Sequence, residues 1–271
     1  MAESKLPLDL QTTLIDTAEA LADAARAAIL PHFRTALIAE NKAIDDFDPV
    51  TLADRAAERS MREVLARMRP EDGILGEEFG ASDGQSGLTW VLDPIDGTRA
   101  FISGTASWGV LIALQDETGP LLGLIDQPYI GERFFGGFGR AEMVGPLGPR
   151  PLAARQNVDL DEAILFTTFP ELGTPEERYA FEAVRDRVKL TRYGLDCYAY
   201  ALLAAGHVDL VIEAGLAAYD IAAPVGLIQA AGGIVTDWQG GPAHGGGRAL
   251  AAANATLHAQ ALELLTAAFD G

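Results

Sequence analysis

Apolar positions early in the chain recur at the spacing of a helix. Within residues 7–39, Leu14, Leu21, Ala25, Ala28 and Ile29 fall on one stripe, and Pro31 is placed to kink or end the helix. Residues 53–69 (ADRAAERSMREVLARMR) predict a second amphipathic helix, with Pro70 and Gly73 marking its end. From residue 73 the pattern changes to short apolar runs. Segments 73–77, 88–93, 107–115 and 121–126 read as strands, and 132–138 with 141–144 as a further hairpin. The first half is therefore expected to be helices followed by a largely antiparallel sheet.

Gly, Pro and Arg accumulate around residues 145–157, which predicts a boundary there. It divides an N-terminal α+β half, 1–148, from a C-terminal α/β half, 149–271, the two packed as one compact unit. Beyond the boundary, strands at 163–167, 208–213 and 233–237 alternate with helices at 175–186, 196–206, 219–232 and 256–269. Such alternation is an α/β pattern.

Composition narrows the class. A chain of 271 residues with 49% apolar and 22% charged residues is an ordinary globular protein, long enough for a substantial core. No apolar stretch approaches the roughly 18 residues that span a bilayer. The segment MAESKLPLDLQTT lacks the basic start and apolar centre of a signal peptide. The single cysteine, Cys197, excludes an internal disulfide framework and fits a reducing cytoplasm. A formal net charge of -19 argues against nucleic acid or an anionic membrane as partner. An anionic substrate then requires bound cations that invert the sign of the site.

Candidate chemistry concentrates in four places. Asp93-Pro94-Ile95-Asp96-Gly97-Thr98 follows the apolar run Trp90-Val91-Leu92. Here Pro94 is expected to stop a strand, and Gly97-Thr98 to open a helix whose first N–H groups have no intrahelical acceptor. Two carboxylates and a carbonyl beside a helix start can hold divalent cations and a phosphate together. Gly76-Glu77-Glu78 closes the 73–77 strand and fits either a metal ligand or a polar strand edge. In Asp48-Pro49-Val50-Thr51-Leu52-Ala53-Asp54, capping suits Thr51 and Asp54, while Asp48 is freer to face a site. Tyr219-Asp220 precedes a buried helix, where Asp220 is either an N-cap or a ligand. His32, His207, His244 and His258 are scattered without metal-ligand spacing, and Gly245-Gly246-Gly247 reads as a flexible surface turn.

Together GEE, WVLDPIDGT and an acid near 220 followed by an apolar helix and AGG resemble the inositol monophosphatase superfamily of metal-dependent phosphatases over nearly the whole chain. The resemblance implies a layered α-β-α-β-α sandwich, a homodimer and a small phosphate ester as substrate. It implies that Glu77, Asp93, the Ile95 carbonyl, Asp96 and Asp220 hold two or three Mg²⁺ ions. Asp48 and Thr98 match the pair that activates the attacking water, and the Gly97 and Thr98 amides match the phosphate cradle. Asp54 matches a supporting place near the metals. The stretches TTFPELG and RYGLDCYAYALLAAGHVDLVIEAGLAAYD are similar to the histidinol-phosphate phosphatases of this superfamily. On that basis Asp196 and Glu213 are candidates to pair with a cationic amine or imidazole, and Arg192 and Thr168 to line the pocket. Inositol 1-phosphate and 3′-phosphoadenosine phosphate are the alternative substrates, and a regulatory binding protein is the alternative class.

Overall fold

A computed structural model of the chain describes residues 6–35, 40–41 and 49–269. Helix α1 (Leu8–Ile29) ends where Leu30–His32, carrying Pro31, tightens into a 3₁₀ turn. A short antiparallel pair, β1 (Glu40–Asn41) and β2 (Pro49–Val50), leads into α2 (Leu52–Met68). A capping box starts α2. The Ala53 N–H donates to Thr51 Oγ1 at 3.1 Å, and the Thr51 N–H donates to Asp54 Oδ2 at 2.9 Å.

The first sheet is built from β3 (Gly73–Gly76), β4 (Gly80–Ser82), β5 (Thr89–Asp96), β6 (Gly109–Asp116), β7 (Gly119–Gln127), β8 (Glu132–Gly137), β9 (Arg140–Gly145) and β10 (Gly148–Pro151), with helix α3 (Thr98–Ser103) between β5 and β6. Its order is β10-β9-β8-β7-β6-β5-β3-β4, antiparallel throughout except for the parallel pair β3 and β5. The Gly-Pro-Arg stretch is more than a linker. Its Gly148–Pro151 segment pairs with Glu142–Gly145 as the sheet's outer strand, a position where proline's missing N–H costs nothing.

The second sheet follows as β11 (Ile164–Thr167), α4 (Pro175–Arg185), β12 (Leu190–Tyr193), α5 (Tyr198–Ala204), β13 (Leu210–Leu216), α6 (Ala218–Ala230), β14 (Ile234–Thr236), β15 (Gly247–Ala252) and α7 (Ala255–Phe269). The order is β12-β11-β13-β15-β14, with β11 parallel to β12 and β13, and β15 antiparallel to β13 and β14. The expected α/β alternation is therefore carried by a mixed sheet. Strand β15 has no sequence signature because Ala249, Ala251 and Ala252 show neither alternation nor β-branching. The glycines before it form a turn at the surface, as expected, with Gly246 alone held close to other backbone. A Cβ on Gly246, at φ +94°, would lie 2.6 Å from the Leu216 carbonyl oxygen.

The elements stack as α-β-α-β-α. Helices α1 and α2 cover one face of the first sheet through Leu14, Leu21, Met61 and Leu65 against Trp90, Leu92 and Ile112. Helices α5 and α6 lie between the sheets, with Tyr200, Leu203, Ile221 and Leu227 packed among Leu111, Ile125, Phe166 and Val211. Helices α4 and α7 cover the outer face of the second sheet through Phe181, Leu257 and Leu265. Burying these apolar side chains is the main stabilising contribution, at roughly 1.5–3 kcal/mol for each large one. The seating of α6 matters most for the site, because it carries Asp220. It rests directly on the β7 backbone: a Cβ on Gly123 would lie 1.9 Å from the Ala223 carbonyl oxygen.

Candidate metal centre and adjoining pocket

Strand β5 does not end at Pro94 as the sequence predicts. It continues to Asp96, with its partner on β6 stepping from Leu111 opposite Asp93 to Gly109 opposite Asp96. Three residues on β5 thus match two on β6, a bulge that accommodates the missing Pro94 N–H. The extra residue has a chemical consequence. Side chains three apart on a regular strand point to opposite faces, whereas here Asp93 and Asp96 converge. Gly97 then turns the chain into α3 with φ 80° and ψ 42°, a left-handed conformation suited to glycine.

Two further acids reach the same point from other elements. Strand β3 runs parallel to β5 with Gly76 opposite Leu92, and the Glu77 N–H donates to the Leu92 carbonyl at 3.2 Å. That register brings the Glu77 side chain into hydrogen-bond contact with Asp93. Asp220 is not the N-cap of α6 but its third residue, and its Oδ2 accepts the Ala217 N–H at 2.7 Å. One carboxylate oxygen each from Asp93, Asp96 and Asp220 lies within 4.8 Å of the others. Asp93 is also fixed by the Ile95 N–H at 3.0 Å, and Asp96 by the Cys197 N–H at 2.6 Å.

Such crowding is electrostatically unfavourable without a counter-charge. Burial first, then the charges of Glu77, Asp96 and Asp220, push the Asp93 carboxyl well above the usual carboxylate range. Asp96 is raised likewise, by burial and then by Asp196 and Asp220. A divalent cation removes that penalty. The converging donors are carboxylate oxygens, the hard ligands of Mg²⁺-type ions rather than the nitrogen and sulfur donors of Zn²⁺. The residues fit a metal centre.

Thr98 opens α3 beside this cluster. Its hydroxyl lies 3.1 Å from the Ile95 carbonyl oxygen and 3.4 Å from Asp54 Oδ1, either of which can accept its one hydrogen. Asp48, the partner expected for Thr98, lies outside the described residues. Among the described residues the carboxylate beside Thr98 is that of Asp54, which the sequence placed as a helix cap and a supporting residue rather than as the partner of Thr98.

The remaining expected residues separate into two groups. Asp196 adopts φ 48°, accepts the Ser107 hydroxyl at 2.7 Å and packs on Gly97, where a Cβ would lie 2.7 Å from Asp196 Cγ. Glu213 is buried midway along β13. It accepts the Thr168 N–H at 2.6 Å, the Thr168 hydroxyl at 2.9 Å and the Thr167 hydroxyl at 3.1 Å. Despite those bonds, burial raises its pKa to about 7. Glu213 lines an open pocket with Arg99, Phe169 and Leu172, in which the Arg99 guanidinium lies 5.2 Å above the Phe169 ring. Arg192 does not join them. It is exposed on the outer strand β12, opposite Phe166. Phe169, Arg99 and Ser107 carry no motif that would have singled them out.

Carboxylates that converge at strand and helix ends, beside a helix start, are the arrangement that a metal-dependent phosphatase requires. The chain belongs to the inositol monophosphatase family, whose model matches residues 10–270. It is 45% identical over 240 residues to the bifunctional phosphatase IMPL2, chloroplastic, of Arabidopsis thaliana, covering 86% of this chain and 68% of that one. It is 37% identical over 225 residues to the histidinol-phosphatase of Mycobacterium tuberculosis, covering 82% and 86%. Among solved structures it resembles an inositol monophosphatase from Zymomonas mobilis, with TM-score 0.82, 44% identity and coverage of 93% and 97%. The chain is a phosphatase of this family, and no helix among the described residues is long and apolar enough to cross a membrane.

Proposed function

We propose that the protein hydrolyses L-histidinol phosphate to L-histidinol and inorganic phosphate, a step of histidine biosynthesis, as a cytoplasmic homodimer. The observation that carries the substrate is the buried Glu213 carboxylate, in a pocket it shares with the Phe169 ring and with Arg99, the neighbour of Thr98 in α3. A carboxylate there pairs with an amine or imidazolium, and an aromatic face suits a flat ring. A neutral polyol offers neither match. The histidinol-phosphatase relative supports the same reading.

Glu77, Asp93, Asp96 and Asp220, with the Ile95 carbonyl, would hold two or three Mg²⁺ ions. When bound, these supply positive charge that stabilises the phosphoryl oxygens and lowers the pKa of the attacking water. The chain's own residues do the positioning. Thr98 gives its one hydroxyl hydrogen to Ile95 or Asp54, which leaves an oxygen lone pair to accept from a water. Asp54 thereby takes the role that the family resemblance would give to Asp48. The Gly97 and Thr98 amides, at the start of α3, would cradle the phosphate. Asp196 and Ser107 brace the wall behind Gly97.

The test is phosphate release by the purified Mg²⁺-loaded protein from L-histidinol phosphate, inositol 1-phosphate and 3′-phosphoadenosine phosphate. A charge-assisted pair worth about 1.5–3 kcal/mol predicts roughly 10- to 100-fold higher kcat/KM for histidinol phosphate. Preference for inositol 1-phosphate would move the chain to the inositol branch. Failure to hydrolyse all three would favour a binding protein.

A further inference from the structure

Glu58 is a carboxylate with no place in the chemistry above, yet it is completely buried at the edge of the metal centre. It lies one turn beyond Asp54 on the same face of α2. The β3–β4 hairpin wraps around it, with Gly76 paired to Gly80 and residues 77–79 forming the loop. The Glu78 N–H donates to Glu58 Oε2 at 2.6 Å, and the Phe79 N–H donates to Oε1 at 3.2 Å. Arg62 Nε completes the set at 2.8 Å from Oε1, and the same guanidinium donates to the Gly80 carbonyl. The strand itself presses on the carboxyl: a Cβ on Gly76 would lie 2.0 Å from Glu58 Oε1. Glu77 sits inside this grip. Its own N–H is tied to Leu92, the next two N–H groups to Glu58, and its side chain touches Asp93.

We infer that Glu58 is a positioning residue, one that clamps the hairpin so that Glu77 is held against Asp93 and thereby sets the affinity of the centre for divalent cations. The inference rests on the metal-centre reading above. A carboxylate is required because two backbone N–H groups and a guanidinium must be received at once. Glutamine offers one acceptor oxygen and turns its NH₂ toward a donor. Outer partners of this kind change metal affinity by about 10- to 100-fold when altered.

The experiment is calorimetric titration of Mn²⁺ into wild type, Glu58→Gln, Glu58→Asp and Val64→Ala, without substrate. Val64→Ala removes buried volume from α2 without altering any hydrogen bond to Glu58 and controls for simple loss of stability. The expected result is a Kd raised about tenfold or more in Glu58→Gln, a smaller rise in Glu58→Asp, and a wild-type Kd in Val64→Ala at a similar loss of Tm. Turnover of Glu58→Gln recovers at high Mg²⁺. A Kd within about twofold of wild type in folded Glu58→Gln overturns the clamp, as does the same result in Glu58→Asp should the glutamine variant not fold. Wild-type protein that takes up no Mn²⁺ would instead overturn the metal centre itself.

Discussion

Replacing Asp93 by Asn removes one charge from the acid cluster while keeping its shape and an oxygen to accept the Ile95 N–H. Charges 4.8 Å apart, the limit within which the three carboxylates converge, repel by about 3.5 kcal/mol per pair at an effective dielectric of roughly 20. Asp93 takes part in two such pairs and in a further contact with Glu77. In the cation-free protein, proton uptake relieves most of this repulsion. What remains is the work of holding a proton on the buried cluster at neutral pH. The raised Asp93 pKa means that the folded state binds more protons than the unfolded chain above pH 3.8, so cation-free stability falls as pH rises through that window. Asn removes that loss. In excess chelator at pH 7.5, Asp93→Asn is therefore expected to melt above wild type, by about 2–4 °C for each kcal/mol of repulsion removed in a chain of this size. With Mg²⁺ the order reverses. A ligand at about 100 times its Kd stabilises wild type by roughly 2.7 kcal/mol, and the variant gains little. Turnover falls by about a thousandfold, the equivalent of roughly 4 kcal/mol of transition-state stabilisation. Differential scanning calorimetry with and without Mg²⁺, beside a phosphate-release assay, reads all three. A variant that melts below wild type in chelator, yet keeps its Mg²⁺ response and turnover, would refute the reasoning.

Thr98→Val keeps the shape of α3 but removes the hydroxyl between Ile95 and Asp54; kcat should fall about 10²- to 10³-fold while Mn²⁺ affinity stays at the wild-type value. Glu213 has a raised pKa, so its buried charge costs stability as pH rises from 4.5 to about 7, and Glu213→Gln should gain stability relative to wild type across that window by up to about 3 kcal/mol, read in thermal unfolding against pH. KM for histidinol phosphate should fall as pH rises through about 7 in wild type, beyond the ionisation of the phosphate, and that component should be lost in Glu213→Gln. Gly123→Ala forces a methyl group to within 1.9 Å of the Ala223 carbonyl oxygen, lifts α6 from the sheet and displaces Asp220; a loss of about 3 kcal/mol or more in urea denaturation, with weakened Mn²⁺ binding, is expected.

Much of the site was legible in the sequence because its central run is local. A strand, a Pro-containing bend, a glycine and a helix start lie within Trp90–Ser103, and each has its own residue signature. Helices α1, α2, α4 and α7 were legible for the same reason, their apolar stripes or caps being written within one segment. What stayed hidden depends on partners distant in sequence. Pro94 read as a strand stop because the pairing that absorbs it, β6 from Gly109 to Leu111, cannot be seen from β5 alone. Asp54 read as a cap and a supporting residue, and nothing singled out Glu58, since their partners Thr98 and Glu78 lie 44 and 20 residues away. Arg192 was a natural candidate from its neighbours in the RYGLDCYAY string, yet β12 is an outer strand and leaves it on the surface. Strand β15 was invisible because a run of alanines buried between two strands needs no alternation.

The most direct measurement is anomalous diffraction from crystals of the protein soaked in Mn²⁺. Strong peaks bounded by Asp93, Asp96, Asp220 and Glu77, lost in Asp93→Asn crystals, are the predicted result. An active, Mn²⁺-dependent enzyme whose peaks lie elsewhere, with these carboxylates unligated, would contradict it.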